Sequence, residues 1–280
     1  MSHAKGFALA ALSLAGLLLA SQAVNAGGSQ ITVTGSTTLQ PVVARIAREF
    51  MKDVRGTQVS VAGGGSGAGI EALLRSETDL ANSSRFISEQ ELDQAVQTGI
   101  YPVPFRIADD CIIPVVHKSN RVKNLSLPDL KRIYLGEITS WKELGGADRA
   151  IEVISRSQES GTYDVWHDIV MGQEDAASSV TLKSSSANVV RTVSGSKGAI
   201  GYISLGYLSA SVKPLRVDGV MGSLYTVRDG SYVLSRPLFM FSRGWPNGSL
   251  LQFINYALNP DRGQNIVRKM GFIPAHIHEK

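Results

Sequence analysis

The chain runs to 280 residues, 43% of them hydrophobic, and its 28 Lys and Arg against 24 Asp and Glu leave a formal net charge of +4. That near-balance, with no basic run interleaved with aromatics, argues against a nucleic-acid binder. Cys111 is the single cysteine, which rules out an internal disulfide and any cysteine-built metal cluster.

Residues 1–26 read as a secretory leader. Lys5 supplies the positive start, Phe7 to Ala20 the apolar centre, and Val24-Asn25-Ala26 the small-residue cleavage site. The apolar run falls short of the roughly 20 residues that a membrane span needs. The expectation is an exported mature chain from about Gly27 to Lys280.

Ile31 to Thr34 alternates as a half-buried strand and leads through Gly35-Ser36-Thr37-Thr38 into a helix whose Val42, Val43, Ile46, Ala47 and Phe50 recur at helical spacing. Pro41 sits in the first turn, where its missing N–H is harmless. A second strand, Thr57 to Ala62, enters the glycine-rich turn Gly63 to Gly69 before a helical stretch from Ile70. Gly63, Gly65 and Ala68 match the GxGxxA dinucleotide fingerprint only loosely. The match falls in the second unit rather than the first, and Asp79, about ten residues on, is too close to be the usual ribose acid. A third short run, Asp79 to Asn82, ends in Ser83-Ser84-Arg85, and Ser88 with Glu91 forms a capping box for the next helix.

Cys111 to Val116 is a strong apolar strand preceded by Asp109 and Asp110, which read as loop charges or as the polar edge of a cleft. Ser126-Leu127-Pro128-Asp129 opens another capped helix. Ile151 to Ile154 then reads as a strand end, followed by Arg156-Ser157-Gln158-Glu159-Ser160-Gly161-Thr162 and a helix through Met171. Ser186 to Val193 is a short helix, Gly198 to Ser204 a strand and Tyr232 to Phe241 a longer one. Leu250–Leu258 and 260–270 close the chain as apolar-striped helices. Strands alternating with helices indicate an α/β fold with mostly parallel sheets.

The chemistry lies in the repeated strand–turn–helix unit. Each helix start leaves backbone N–H groups unpaired and presents the positive end of the helix dipole, a combination that favours anions. Ser36, Thr37 and Thr38 at the first turn, Ser66 and Gly67 at the second, and Ser160, Gly161 and Thr162 at the third add hydroxyl and amide donors. Arg156 adds a permanently charged planar fork. Each hydroxyl taken singly also fits a plain helix cap, and Arg85 fits solvent as well as it fits a ligand. His167 is two helical turns from Ser160, too far to act as its base, so no catalytic residue is assigned. No cofactor or metal motif is present.

Taken together, Gly35-Ser36-Thr37-Thr38, Gly64-Gly65-Ser66-Gly67, Ser83-Ser84-Arg85, Arg156 with Ser160-Gly161-Thr162, Gly198-Ala199-Ile200-Gly201-Tyr202 and the segment Gly136 to Gly146 make the chain resemble the periplasmic phosphate-binding proteins that serve ATP-driven (ABC) importers. The resemblance covers essentially the whole mature chain. It implies a two-lobed periplasmic binding protein fold, each lobe a mostly parallel sheet flanked by helices, with the ligand in the cleft between. The implied division is residues 27–112 for lobe one, 113–207 for lobe two, and 208–280 for the return to lobe one.

Ser36, Thr37, Thr38, Ser66, Gly67, Ser84 and Arg85 would face phosphate from lobe one, and Arg156, Ser160, Gly161 and Thr162 from lobe two. The implied partner is the membrane permease of a phosphate importer, and the implied state is a monomer. Receptors for sulfate or molybdate, an exported phosphohydrolase, and a surface or sensory scaffold are the alternatives. One departure bears on selectivity. Some family members carry an Asp to accept the proton of phosphate, and the matching position here is Ser84. Gln158 likewise replaces a second acid, so Asp110 or Glu159 is expected to supply the carboxylate.

Overall fold

A computed structural model describes residues 29–275. The expected leader, residues 1–26, lies outside the described residues.

β1 (Ser29–Gly35) buries Ile31 and Val33 on one face, and α1 (Gln40–Asp53) packs its Val42, Val43, Ile46, Ala47 and Phe50 against that face. β2 (Thr57–Ala62) and β3 (Leu80–Ser83) flank β1 on either side in parallel, and α2 (Ser66–Leu74) joins them. α3 (Glu89–Thr98) starts at the expected capping box, with Ser88 Oγ accepting from the Glu91 amide. The three parallel strands therefore end at one edge, and α1 and α2 start there, because each strand–turn–helix connection is only a few residues long.

β4 (Pro102–His117) is the structural spine. Its first half pairs antiparallel with β11 (Ser235–Arg243), which also pairs with β3, and its second half pairs antiparallel with β8 (Ala199–Ser204). After the short β5 (Asn124–Leu125), α4 (Leu127–Tyr134) carries a capping box of Ser126 and Asp129. β6 (Glu152–Arg156) then pairs in parallel with β8 and with β7 (Thr181–Lys183). Between β6 and β7 lie α5 (Gly161–Trp166) and a turn of π-helix, His167–Met171. α6 (Ser186–Gly195) covers β8. The remaining elements are β9 (Val212–Pro214), β10 (Arg216–Val217), α7 (Leu224–Arg228), α8 (Gly248–Leu258), α9 (Gly263–Lys269) and β12 (Ile273–Pro274).

The sheet path runs β2-β1-β3-β11-β4-β8-β6-β7. Its outer strands are parallel as expected, whereas the seam through β11, β4 and β8 is antiparallel.

Two hydrophobic cores divide β4 between them. Ile107 and Ala108 belong to the first, with Phe50, Leu238 and Phe253, while Ile112, Ile113 and Val115 belong to the second, with Tyr134, Trp141, Trp166 and Tyr202. A smaller cluster of Ile70, Leu73, Ala81 and Phe241 lies under α2. The return to the first lobe, expected from residue 208, falls later by packing. Val212, Leu215, Val217, Tyr232 and Leu234 all bury into the second core, and Leu238 on β11 is the next residue in the first. The reason is that β9 adds to the second half of β4, placing Pro214 opposite Val115.

Candidate functional site

The three turns meet where the lobes touch. β1 ends in Gly35, whose φ of +133° and whose closeness to the Asn82 carbonyl leave no room for a Cβ, and the chain then turns into α1. Ser36 Oγ accepts from the amides of Thr38 (3.2 Å) and Leu39 (3.4 Å), so Ser36 is a cap for this turn. Capping leaves the next two hydroxyls turned to the other lobe. Thr38 Oγ1 lies 3.3 Å from Thr162 Oγ1 on α5, and Thr37 Oγ1 accepts from Arg156 Nη2 at 2.9 Å.

At the second turn, Ser66 Oγ is 3.2 Å from Ser84 Oγ and accepts the Ser84 amide at 3.0 Å, linking the start of α2 to the end of β3. At the third turn, Ser160 Oγ caps α5 by accepting from Thr162 N and Tyr163 N. Gly161 faces lobe one so closely that a Cβ there would lie 2.5 Å from Ser66 Oγ and 2.9 Å from Ser84 Oγ. Glycine is therefore required for the lobes to approach.

Arg156 is the electrostatic centre. The end of β6 delivers it, and it is 1% exposed. Its N–H groups donate to Lys183 O (3.2 Å), Ser184 O (3.0 Å), Ser186 Oγ (3.3 Å) and Thr37 Oγ1. All four acceptors are neutral, and among the described residues no carboxylate forms a salt bridge with it. Burial lowers its pKa to about 10. A buried cation without a counter-charge is costly, and an anion between the lobes would offset that cost. Tyr202 fixes the strand beneath it, with its hydroxyl 2.8 Å from Ser155 Oγ and accepting from the Arg156 amide at 3.2 Å.

Thr37, Thr38, Ser66, Ser84, Arg156, Gly161 and Thr162 thus come together. Ser36 Oγ instead braces the turn that leads into α1, and Ser160 Oγ caps α5. Gly67 sits at the junction, but its amide donates to Glu159 O at 3.2 Å, across the cleft.

Arg85 departs from its expected place. Its guanidinium forms a two-pronged pair with Glu91 (2.7 and 2.8 Å), a bond to Phe86 O at 3.0 Å, and an ion pair with Asp164 on α5. Burial pulls its pKa down, but the two carboxylates win and raise it above the ordinary arginine range. With its donors engaged in this way, it joins the lobes at the rim rather than facing the interior.

The expectation for Asp110 is also corrected. Its Oδ1 accepts from Ser204 Oγ (2.8 Å) and Leu205 N (3.0 Å), and its Oδ2 from Arg236 Nε (3.1 Å) and Nη2 (2.8 Å). Glu159 is solvent-exposed. Neither carboxylate has the placement expected of a buried proton acceptor.

Sequence reading missed Arg236, as well as Tyr207, whose hydroxyl donates to Thr37 O at 2.7 Å. A signal existed for the first: Arg236 interrupts an apolar strand, as Asp110 does at the start of another. A surface hollow of about 970 Å³ between α1 and α9 lies away from these residues, and the cleft itself is closed by contact between the lobes.

The family description "PBP superfamily domain" matches residues 20–261. The phosphate-binding protein PstS of Bacillus subtilis is 31% identical over 250 residues, covering 89% of this chain and 81% of that protein. PstS of Staphylococcus haemolyticus is 32% identical, covering 82% and 77%. Among solved structures, a putative phosphate ABC transporter substrate-binding protein with bound phosphate from Clostridium perfringens superposes with a TM-score of 0.83 at 34% identity, covering 89% of this chain and all of that one. An ABC-type phosphate transport receptor from Vibrio cholerae gives 0.73 at 28% identity, covering 87% and 99%.

Proposed function

Because this chain belongs to the PBP superfamily, and within it to the phosphate-binding proteins of ABC transporters, we propose that it captures inorganic phosphate between its lobes outside the cytoplasmic membrane and presents it to the permease of a phosphate importer. The observation that carries the reading is Arg156, a buried cation held only by neutral acceptors where three helix starts converge. Thr37, Thr38, Ser66 and Ser84 supply the lobe-one side of the shell, and Arg156, Gly161 and Thr162 the lobe-two side. Bound anion then stabilises the closed form through contacts that need both lobes, and the closed form is what the permease reads. The protein acts as a monomer and turns nothing over.

Selectivity rests on hydroxyls. Phosphate at neutral pH carries a proton that sulfate lacks, and an unpaired buried donor or acceptor costs about 1–3 kcal/mol. The Thr38–Thr162 and Ser66–Ser84 pairs can each turn an oxygen lone pair toward that proton. Being neutral, they repel sulfate less than a carboxylate would.

Calorimetric titration of protein stripped of anion by unfolding and refolding tests this, first with phosphate and then with sulfate. One-to-one phosphate binding with weaker sulfate binding is expected. Equal or reversed preference would move the ligand to another tetrahedral oxyanion, and no binding of either would reduce the three turns to helix caps. An aryl phosphate incubated with the same protein should release no product.

A further inference from the structure

Asp110 and Arg236 form a buried ion pair, 0% and 3% exposed, where the chain changes lobes. They are direct partners across the β4–β11 pairing, on the last stretch of β4 before it leaves the first core for the second. Nothing in anion capture as described above uses them. A buried pair of this kind is often replaceable by apolar side chains without loss of stability, so stability alone does not account for it.

The third arm of Arg236 suggests another role. Arg236 Nη1 donates to two backbone carbonyls, Ser84 O and Gly161 O, each at 3.3 Å. Ser84 directly follows β3 in lobe one, and Gly161 begins α5 in lobe two. Both neighbour the hydroxyls assigned to the anion, Ser84 Oγ itself and Thr162 Oγ1. Asp110 holds the opposite edge of the guanidinium and is in turn held by Ser204 Oγ and Leu205 N, where β8 ends. The Arg236–Asp110 pair thus links the residue after β3, the end of β8, the start of α5, and both crossing strands β4 and β11. Since all three guanidinium nitrogens of Arg236 face protein acceptors and its charge is matched by Asp110, it neither touches the anion nor adds net charge.

We propose that Arg236, anchored by Asp110, is a positioning residue that sets Ser84 and Gly161 in register across the cleft, so that the donors of the two lobes close on the anion as one shell. This rests on the anion-capture reading above. The role needs an arginine. A lysine ammonium can stay paired with Asp110, but as a point charge it cannot hold a carboxylate on one edge and two carbonyls on the other.

The test compares Arg236→Lys with the unaltered protein by phosphate titration, phosphate dissociation rate and thermal unfolding without ligand. A positioning role predicts an affinity about tenfold weaker or more, carried mainly by faster dissociation, with unchanged one-to-one stoichiometry. It also predicts that the ligand-free melting temperature moves little. A merely structural role would lower that melting temperature and leave affinity within twofold, which would overturn the proposal. Should Arg236→Lys fail to fold, Asp110→Asn combined with Arg236→Gln keeps the pair neutral and hydrogen-bonded, and is held to the same criterion. Absence of phosphate binding by the unaltered protein would count against the proposed function. Normal binding by both proteins would count against Arg236 alone.

Discussion

Under the proposed function, Arg156 is a residue costly to the empty protein and decisive for the loaded one. Burial lowers its pKa from the ordinary arginine range to about 10. An arginine depressed in this way is a destabilising charge below pH 10, and the penalty fades as pH rises above about 10, where the unfolded chain still binds the proton. Affinity has the opposite sign, since an anion needs the protonated form, so phosphate binding should weaken as pH rises through about 10. A hydrogen bond to a charged group contributes about 1.5–3 kcal/mol, so Arg156→Met should weaken phosphate roughly tenfold to a hundredfold for each bond lost. Its ligand-free melting temperature should hold or rise, because no carboxylate partner is orphaned. A variant that melts early yet binds phosphate normally would mean that Arg156 is a strut.

At the scale of elements, the lobes are joined by contacts between α1, α2 and α5 and by the rim ion pair of Arg85 with Asp164. Glu91 pairs with Arg85 from the same lobe, whereas Asp164 reaches it from the other. The Asp164 arm therefore depends on closure, and the Glu91 arm does not. Asp164→Asn should raise the phosphate dissociation constant roughly threefold to tenfold, with a smaller response to added salt than the unaltered protein shows. Glu91→Gln should mainly loosen α3, whose capping box it completes. An Asp164→Asn protein with unaltered affinity at low salt would remove the rim pair from the closure mechanism.

For the whole molecule, two cores lie on either side of β4, which crosses between them as a single continuous element, and this crossing is where the proposed lobe closure would pivot. Ligand that binds only the closed form stabilises it by mass action, about 2.7 kcal/mol at a hundredfold excess over the dissociation constant. For a protein of this size that corresponds to an upward shift of roughly 5–10 °C in melting temperature. Small-angle scattering should show a smaller radius of gyration with phosphate than without. A phosphate-induced rise in melting temperature with no change in scattering would place the ligand on a rigid scaffold instead.

By itself, the sequence determined the units. β1, α1, the glycine turn and the capping boxes at Ser88 and Ser126 were legible because strand alternation, helical spacing and cap chemistry are local properties of a few neighbouring residues. The three strand–turn–helix starts, and Arg156 beside one of them, were legible for the same reason, but that they meet across the lobes is a tertiary fact. Only the tertiary structure decided what each side chain would meet. Asp110 finds Arg236, 126 positions away, and Arg85 finds Glu91 and Asp164. Residues 208–234 stay with the second core because a strand's neighbours lie elsewhere in the chain. A charged side chain takes its partner from whatever distant segment the fold brings within about 3–4 Å, and local pattern does not encode that distance.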